Sequence, residues 1–277
     1  MKKFKTIYKT FAVLSLSVIA VIGNTQAATV KVEVTNLFQE GGLALTPLWA
    51  GFHDGSFDSF NVGEQASSNV QALAEGGMLG GILEDFENQS SGVQGVITAP
   101  EGFPGAPVIE PGETTYAMFD INSGTSGYFS FLSMLIPTND GFIGNDAPDA
   151  YSLFDMMGNF VGLDILVLGS QVWDSGTELN TGFGAPFLIG ADGQPRQDEN
   201  GVITQHAGLD VLDGGLPIIG GTTPAGYTID ALAADFTAAG FEVARIQISQ
   251  VSAPATSLLL FVVLFIAFTR RICKSSC

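Results

Sequence analysis

From Thr29 to Phe38 the chain reads TVKVEVTNLF, with Val30, Val32 and Val34 alternating with Lys31, Glu33 and Thr35. A period of two sends alternate side chains to opposite faces of an extended strand, one buried and one wet. Comparable runs predict strands at 114–121, 128–136, 161–168, 202–206 and 241–251, separated by clusters such as APEGFPGAPVIEPGE and GGLPIIGGTTPAG. Several strands without regularly interposed helices imply an all-β fold, an antiparallel β-sandwich. One or two short helical insertions interrupt it. Thr228 caps one, with Ile229, Leu232 and Phe236 on a shared face and Gly240 as terminator; the other lies within 64–75, where Val70, Leu73 and Ala74 face inward. No internal repeat is present.

The two ends of the chain follow different patterns. Lys2, Lys3, Lys5 and Lys9 precede an apolar run from Phe11 to Ile22 and the small, polar stretch Asn24 to Ala28, the three-part layout of a secretory signal peptide spanning residues 1–28. Val251 to Phe268 is apolar apart from Ser252, Pro254, Thr256 and Ser257, and stops at Thr269-Arg270-Arg271. A membrane span requires about twenty such residues, and the basic end stays cytoplasmic by the positive-inside rule. The expected division is therefore a leader at 1–28, a domain at 29–251 and an anchoring tail at 252–277.

Charge sharpens this division. Residues 29–252 hold three cations, Lys31, Arg196 and Arg245, against all 28 acidic residues, a net charge of −25 compared with −18 for the whole chain. Such a surface repels nucleic acid and anionic lipid and accumulates divalent cations. Both cysteines, Cys273 and Cys277, lie in the tail, so the exported domain relies on its core, and on any metal, rather than on a disulfide.

The acidic turns carry the candidate chemistry. After the apolar run YFSFLSMLI come Asn139, Asp140, Asn145 and Asp146; Asp174 and Glu178 follow the 161–168 strand. Calcium takes six to eight oxygen ligands, usually carboxylates and carbonyls on turns. If the 128–136 and 161–168 strands run side by side, the two acidic segments meet at one end of the sandwich. His53-Asp54 and His206 lack the spacing of a zinc motif and read as surface or capping residues. There is no G-x-S-x-G elbow, no thiol before the tail and no phosphate loop, and Asn88-Gln89-Ser90 is a bare glycosylation sequon.

Two resemblances extend this reading. The Pro254-containing segment, the apolar run and the arginine pair resemble the PEP-CTERM sorting tail of Gram-negative bacteria, although Val251 to Thr256 stands where that tail has Pro-Glu-Pro. It implies processing by an exosortase and delivery to the cell surface or the extracellular matrix, with at least transient membrane attachment. Ser133-Met134-Leu135-Ile136-Pro137-Thr138-Asn139-Asp140-Gly141-Phe142-Ile143-Gly144 resembles the Ser-Met-x-x-Pro-Ser-x-Asp-x-x-x-Gly core of the spondin N-terminal domain family. Trp173 to Glu178 and Ala244-Arg245-Ile246 are similar to that family's later elements. This resemblance implies a C2-like sandwich binding one Ca2+ through Asp140, Asp174 and Glu178, with Glu178 where the family has Asp. It further implies a non-enzymatic role in adhesion or matrix assembly, with an unidentified matrix or surface ligand as partner and no nucleic acid. The rival readings are a secreted metal-dependent hydrolase using His53 or His206 as acid or base, and a structural surface-layer component.

Overall fold

The computed structural model describes residues 27–99, 107–212 and 214–251; the expected leader and tail lie outside the described residues, apart from Ala27, Ala28 and the apolar run's first residue, Val251. Two antiparallel sheets face each other. The first runs in the order β5 (Thr114–Asn122), β1 (Ala27–Asn36), β11 (Glu242–Gln250), β8 (Leu163–Leu168). The second runs β10 (Thr204–Gln205), β9 (Val172–Asp174), β7 (Gly141–Gly144), β6 (Tyr128–Ile136), β3 (Leu48–His53), β4 (Val93–Ile97), with β2 (Ala44–Leu45) paired to β6.

In β1 the predicted alternation holds: Val30, Val32 and Val34 are buried between the sheets, while Lys31 and Glu33 form an ion pair on the outer face. Strand β6 behaves differently, being buried at every position from Phe129 to Ile136. Its inner face packs Phe129, Phe131 and Leu135 against the first sheet. Its outer face places Leu132 with Trp49 and Phe142 under a layer of two helices, α1 (Ser68–Gly76) and α2 (Gly80–Gln89). Burial on both faces explains why this strand reads as a continuous apolar run. Trp49 lies across Gly51, where a Cβ would come within 2.4 Å of the indole.

Helix α1 realises the insertion expected at 64–75, and Val70, Leu73 and Ala74 face inward. Ser67 caps it by accepting from the Val70 amide, and Gly77, at φ 65°, ends it with amide bonds from Gly77 to Leu73 and Met78 to Ala72. The helix expected after Thr228 does not form. Asp230 caps a single turn through the Leu232 and Ala233 amides, then Asp235 starts a new turn at Thr237, so 231–240 is a run of turns and bends broken at 235, with Leu232 exposed. Short acidic side chains that bond nearby amides compete with continued helix.

The strands at 128–136 and 161–168 do not run side by side but lie in different sheets. Strand β8 pairs with β11 in the first sheet, and a 3-10 turn, Gly169–Gln171, carries the chain across to the second sheet, where β9 pairs with β7. Gly169 permits this crossing, since a Cβ there would sit 1.7 Å from the Phe236 carbonyl oxygen. The acidic segments therefore meet through β9 rather than β8. They close the end of the sandwich where β6 stops. At the opposite end Ala27 pairs with Asn122, and Val251 donates to the Thr29 carbonyl at 2.8 Å.

Candidate metal centre

The turn after β6 is tied by Thr138, whose hydroxyl donates to the Leu135 carbonyl at 2.5 Å and accepts the Gly141 amide at 2.9 Å. It delivers Asp140 into the interior at 0% exposure. One carboxylate oxygen, Oδ2, accepts from the Ser175 hydroxyl at 2.8 Å, the Thr177 amide at 2.9 Å and the Glu178 amide at 3.1 Å. The other, Oδ1, has no hydrogen-bond partner among the described residues. Burial, together with the neighbouring charge of Asp174, pushes the Asp140 carboxyl up to about 6 despite those donors.

Asp174 is the β9 residue opposite Gly141 and opposite Thr204 on β10. Its oxygens accept from the Gly176 amide at 2.9 Å and from Asn180 Nδ2 at 2.7 Å. Gly176 adopts φ 67°, and a Cβ there would sit 2.6 Å from the Val202 carbonyl oxygen, a place only glycine fills without strain. Asp140 and Asp174 are thus brought together.

Glu178 arrives by its backbone but not by its carboxylate. Its Oε1 accepts from Asn139 Nδ2 at 2.8 Å, and its Oε2 accepts from Arg196 through Nε at 2.8 Å and through Nη2. The same guanidinium reaches Glu75 Oε2 at 3.1 Å, at the C-terminal end of α1. Among the described residues no three His, Cys, Asp or Glu side chains form a ready set of metal ligands. Arg196 is the physical reason that Glu178 stands apart: it supplies the positive charge that this carboxylate would otherwise seek. Asn139 braces the arrangement, accepting the Gly182 amide at 2.8 Å and donating to the Phe183 carbonyl at 2.9 Å. Asn145 and Asp146 go elsewhere, to the Phe131 and Val62 amides.

Sequence reading missed the place of His206. Its ring lies over Gly141, where a Cβ would be 2.9 Å from Cδ2, and it feels the charge of Asp174. Burial lowers its pKa, with Asp174 opposing, so the imidazole is held neutral. Nδ1 accepts the Gly208 amide at 3.1 Å, which leaves the hydrogen on Nε2, and Nε2 has no partner among the described residues. His53 repeats this local geometry, accepting the Gly55 amide at 3.0 Å, but its Nε2 meets Ser130 at 2.9 Å on the strand pair that ends at Tyr128, toward the opposite end. The shared His-x-Gly spacing was the available signal. The two histidines do not assemble into one zinc site.

The family description Spondin_N matches residues 40–197, more than half of the chain. The chain belongs to the Spondin_N family. No curated protein matches it. Within this Spondin_N domain the match covers α1, α2 and strands β2 to β9, including both acidic segments and Arg196. The two-sheet architecture agrees with it, whereas β1, β10 and β11 lie outside the matched range.

The donor chemistry tests the Spondin_N chain's fit to a cation. Asp140 presents a buried oxygen without a hydrogen-bond partner among the described residues, beside the like charge of Asp174. His206 presents N–H, not a lone pair, so the available donors are oxygens only. Oxygen-only donors suit a hard cation such as calcium rather than zinc. Asp140 and Asp174 fit; Glu178 joins them only by exchanging Arg196 for the ion.

Proposed function

We propose that this Spondin_N protein is an exported, calcium-binding adhesive component of the bacterial cell surface or matrix. The unpartnered Oδ1 of Asp140, buried beside Asp174, is the observation that carries the calcium reading. Asp140 and Asp174 would hold the ion, and Glu178 would contribute a third carboxylate once released from Arg196. Bound calcium supplies positive charge that offsets the burial of these anions. Asn139, Ser175 and the Thr177 amide fix the loops around that point, so a ligand meets a surface already ordered, at lower entropic cost.

The signal-peptide pattern, the PEP-CTERM-like tail with its exosortase processing, and the excess of acidic residues all favour an extracellular location. A binding role is favoured over hydrolysis because neither histidine offers a free base at the acidic end: His206 Nε2 carries its proton, and His53 is bonded to Ser130.

Thermal melts of the full-length protein in calcium and in chelator test the reading, with Asp140→Asn and Asp174→Asn alongside. Binding to the folded state alone stabilises it by roughly 2.7 kcal/mol at a hundredfold excess over Kd. An upward shift in the parent that both variants lose is expected. No shift in the parent, or an equal shift in Asp140→Asn, would overturn the assignment.

A further inference from the structure

At the end of the sandwich away from the acidic turns, the chain between β7 and β8 makes a tight loop whose tip is apolar. Met156 and Met157 are 105% and 84% exposed, and Val161 is 59% exposed. Apolar residues scattered singly over a surface need no explanation, but adjacent ones on a shaped loop do.

This loop is held in shape. Asp155 Oδ1 accepts the Met157 and Asn159 amides, each at 2.8 Å, and Oδ2 accepts Asn159 Nδ2 at 2.9 Å. The Asp155 amide donates to the Asn159 carbonyl at 2.9 Å, and Gly158 turns the chain at φ 79°. Below the tip Phe154 and Phe160 pair edge to face at 5.8 Å. The methionines are therefore presented by a pre-formed turn.

Its position supplies the partner. A Cβ on Gly158 would lie 4.0 Å from the Ser123 hydroxyl, next to the Asn122–Ala27 pair at the start of β1, and one on Gly162 would lie 2.9 Å from the Ile248 carbonyl. The chain leaves β11 at this same end, at Val251, and the sequence beyond runs through Leu258 to Phe268 without a polar residue, ending at Arg270-Arg271. A bilayer entered directly beyond Val251 would lie on the side of the sandwich that carries the methionine loop.

We propose that the loop Asp155 to Val161 docks into the surface of a zwitterionic bilayer, burying Met156 and Met157 among the headgroups and upper acyl chains. Methionine suits this contact because its unbranched, polarisable side chain adapts to an irregular apolar surface. A net charge of −18 argues for neutral rather than anionic lipid. The inference rests on reading the C-terminal apolar segment as a membrane anchor.

The test uses the full chain reconstituted with phosphatidylcholine vesicles carrying brominated acyl chains, which quench tryptophan on contact. Met157→Trp places the probe on the loop; Leu212→Trp places it at the acidic end, where Leu212 is 50% exposed. The parent, with Trp49 and Trp173, supplies the background. The expected result is co-flotation of all three chains, loss of most of the added emission in Met157→Trp, and none in Leu212→Trp. Co-flotation with equal quenching of both variants, or of neither, overturns the docking surface and leaves the anchor standing. Failure to co-float overturns both.

Discussion

Replacing Asp140 with asparagine keeps one acceptor oxygen for the Ser175, Thr177 and Glu178 donors, puts an NH2 group in place of the other oxygen and removes the charge. The folded-state pKa is raised from 3.8 to about 6, mainly by burial and secondarily by Asp174. At about 1.4 kcal/mol per pH unit, the ionised carboxylate costs the metal-free fold about 3 kcal/mol at neutral pH. The sign follows from the protonated form being favoured in the fold: the contribution of Asp140 is fully present below about pH 4 and is lost as pH rises through about 6. In chelator at pH 7.5, Asp140→Asn should therefore be more stable than the parent by about 2–3 kcal/mol, and the gap should close toward pH 4. His53 and His206, whose pKa values are lowered by burial, act in the opposite direction, stabilising above their unfolded pKa and losing that contribution as pH falls. They are present in both proteins and cancel in the difference. Urea titrations across this range in chelator measure it directly. A variant equal to or weaker than the parent at pH 7.5, or a gap independent of pH, would refute the buried-charge argument. If Asp140 holds calcium as proposed, the ion should reverse the order by stabilising the parent alone.

Arg196→Gln leaves Glu178, 1% exposed, without its charge partner and should destabilise the chelated protein by about 3 kcal/mol, the low edge for a buried pair because the guanidinium is 42% exposed. If Glu178 joins the calcium, the same substitution should be much milder in calcium; parallel melts in both conditions decide this. Gly141→Ala forces a methyl to 2.7 Å from the Thr138 hydroxyl and 2.9 Å from the His206 ring, and should cost about 1–3 kcal/mol in chemical denaturation while perturbing the calcium-dependent shift.

Long-period pattern was the readable part of this chain. The alternating strands β1, β5 and β11 and the run that forms β6 were legible because each is long enough for its period to be counted. Strands β7 and β9 have three to four residues each and owe their conformation to neighbouring strands, leaving no pattern of their own, while β10 keeps only two residues of the strand expected at 202–206. Helix α2 begins with two glycines and buries only Ile82 and Phe86, too little for a helical stripe to stand out. At the acidic end, Asp140 and Asp174 were legible as oxygen donors after apolar strands. The role of Arg196 was not, since it lies 18 residues beyond Glu178 in a turn-rich stretch and meets it only through the fold. His206 was hidden for a related reason: its significance depends on Gly141 having no side chain.

The nine residues of β6 separate the acidic turns from Ala27 and Val251, where the described chain begins and ends. At about 3.3 Å per residue that is roughly 30 Å, some three to four times the screening distance in physiological salt. Lipid headgroups beneath a tethered molecule would therefore leave ion affinity at the far tip unaltered, and shed and attached forms should titrate alike. The strand acts as an insulating standoff between the acidic turns and the proposed point of attachment.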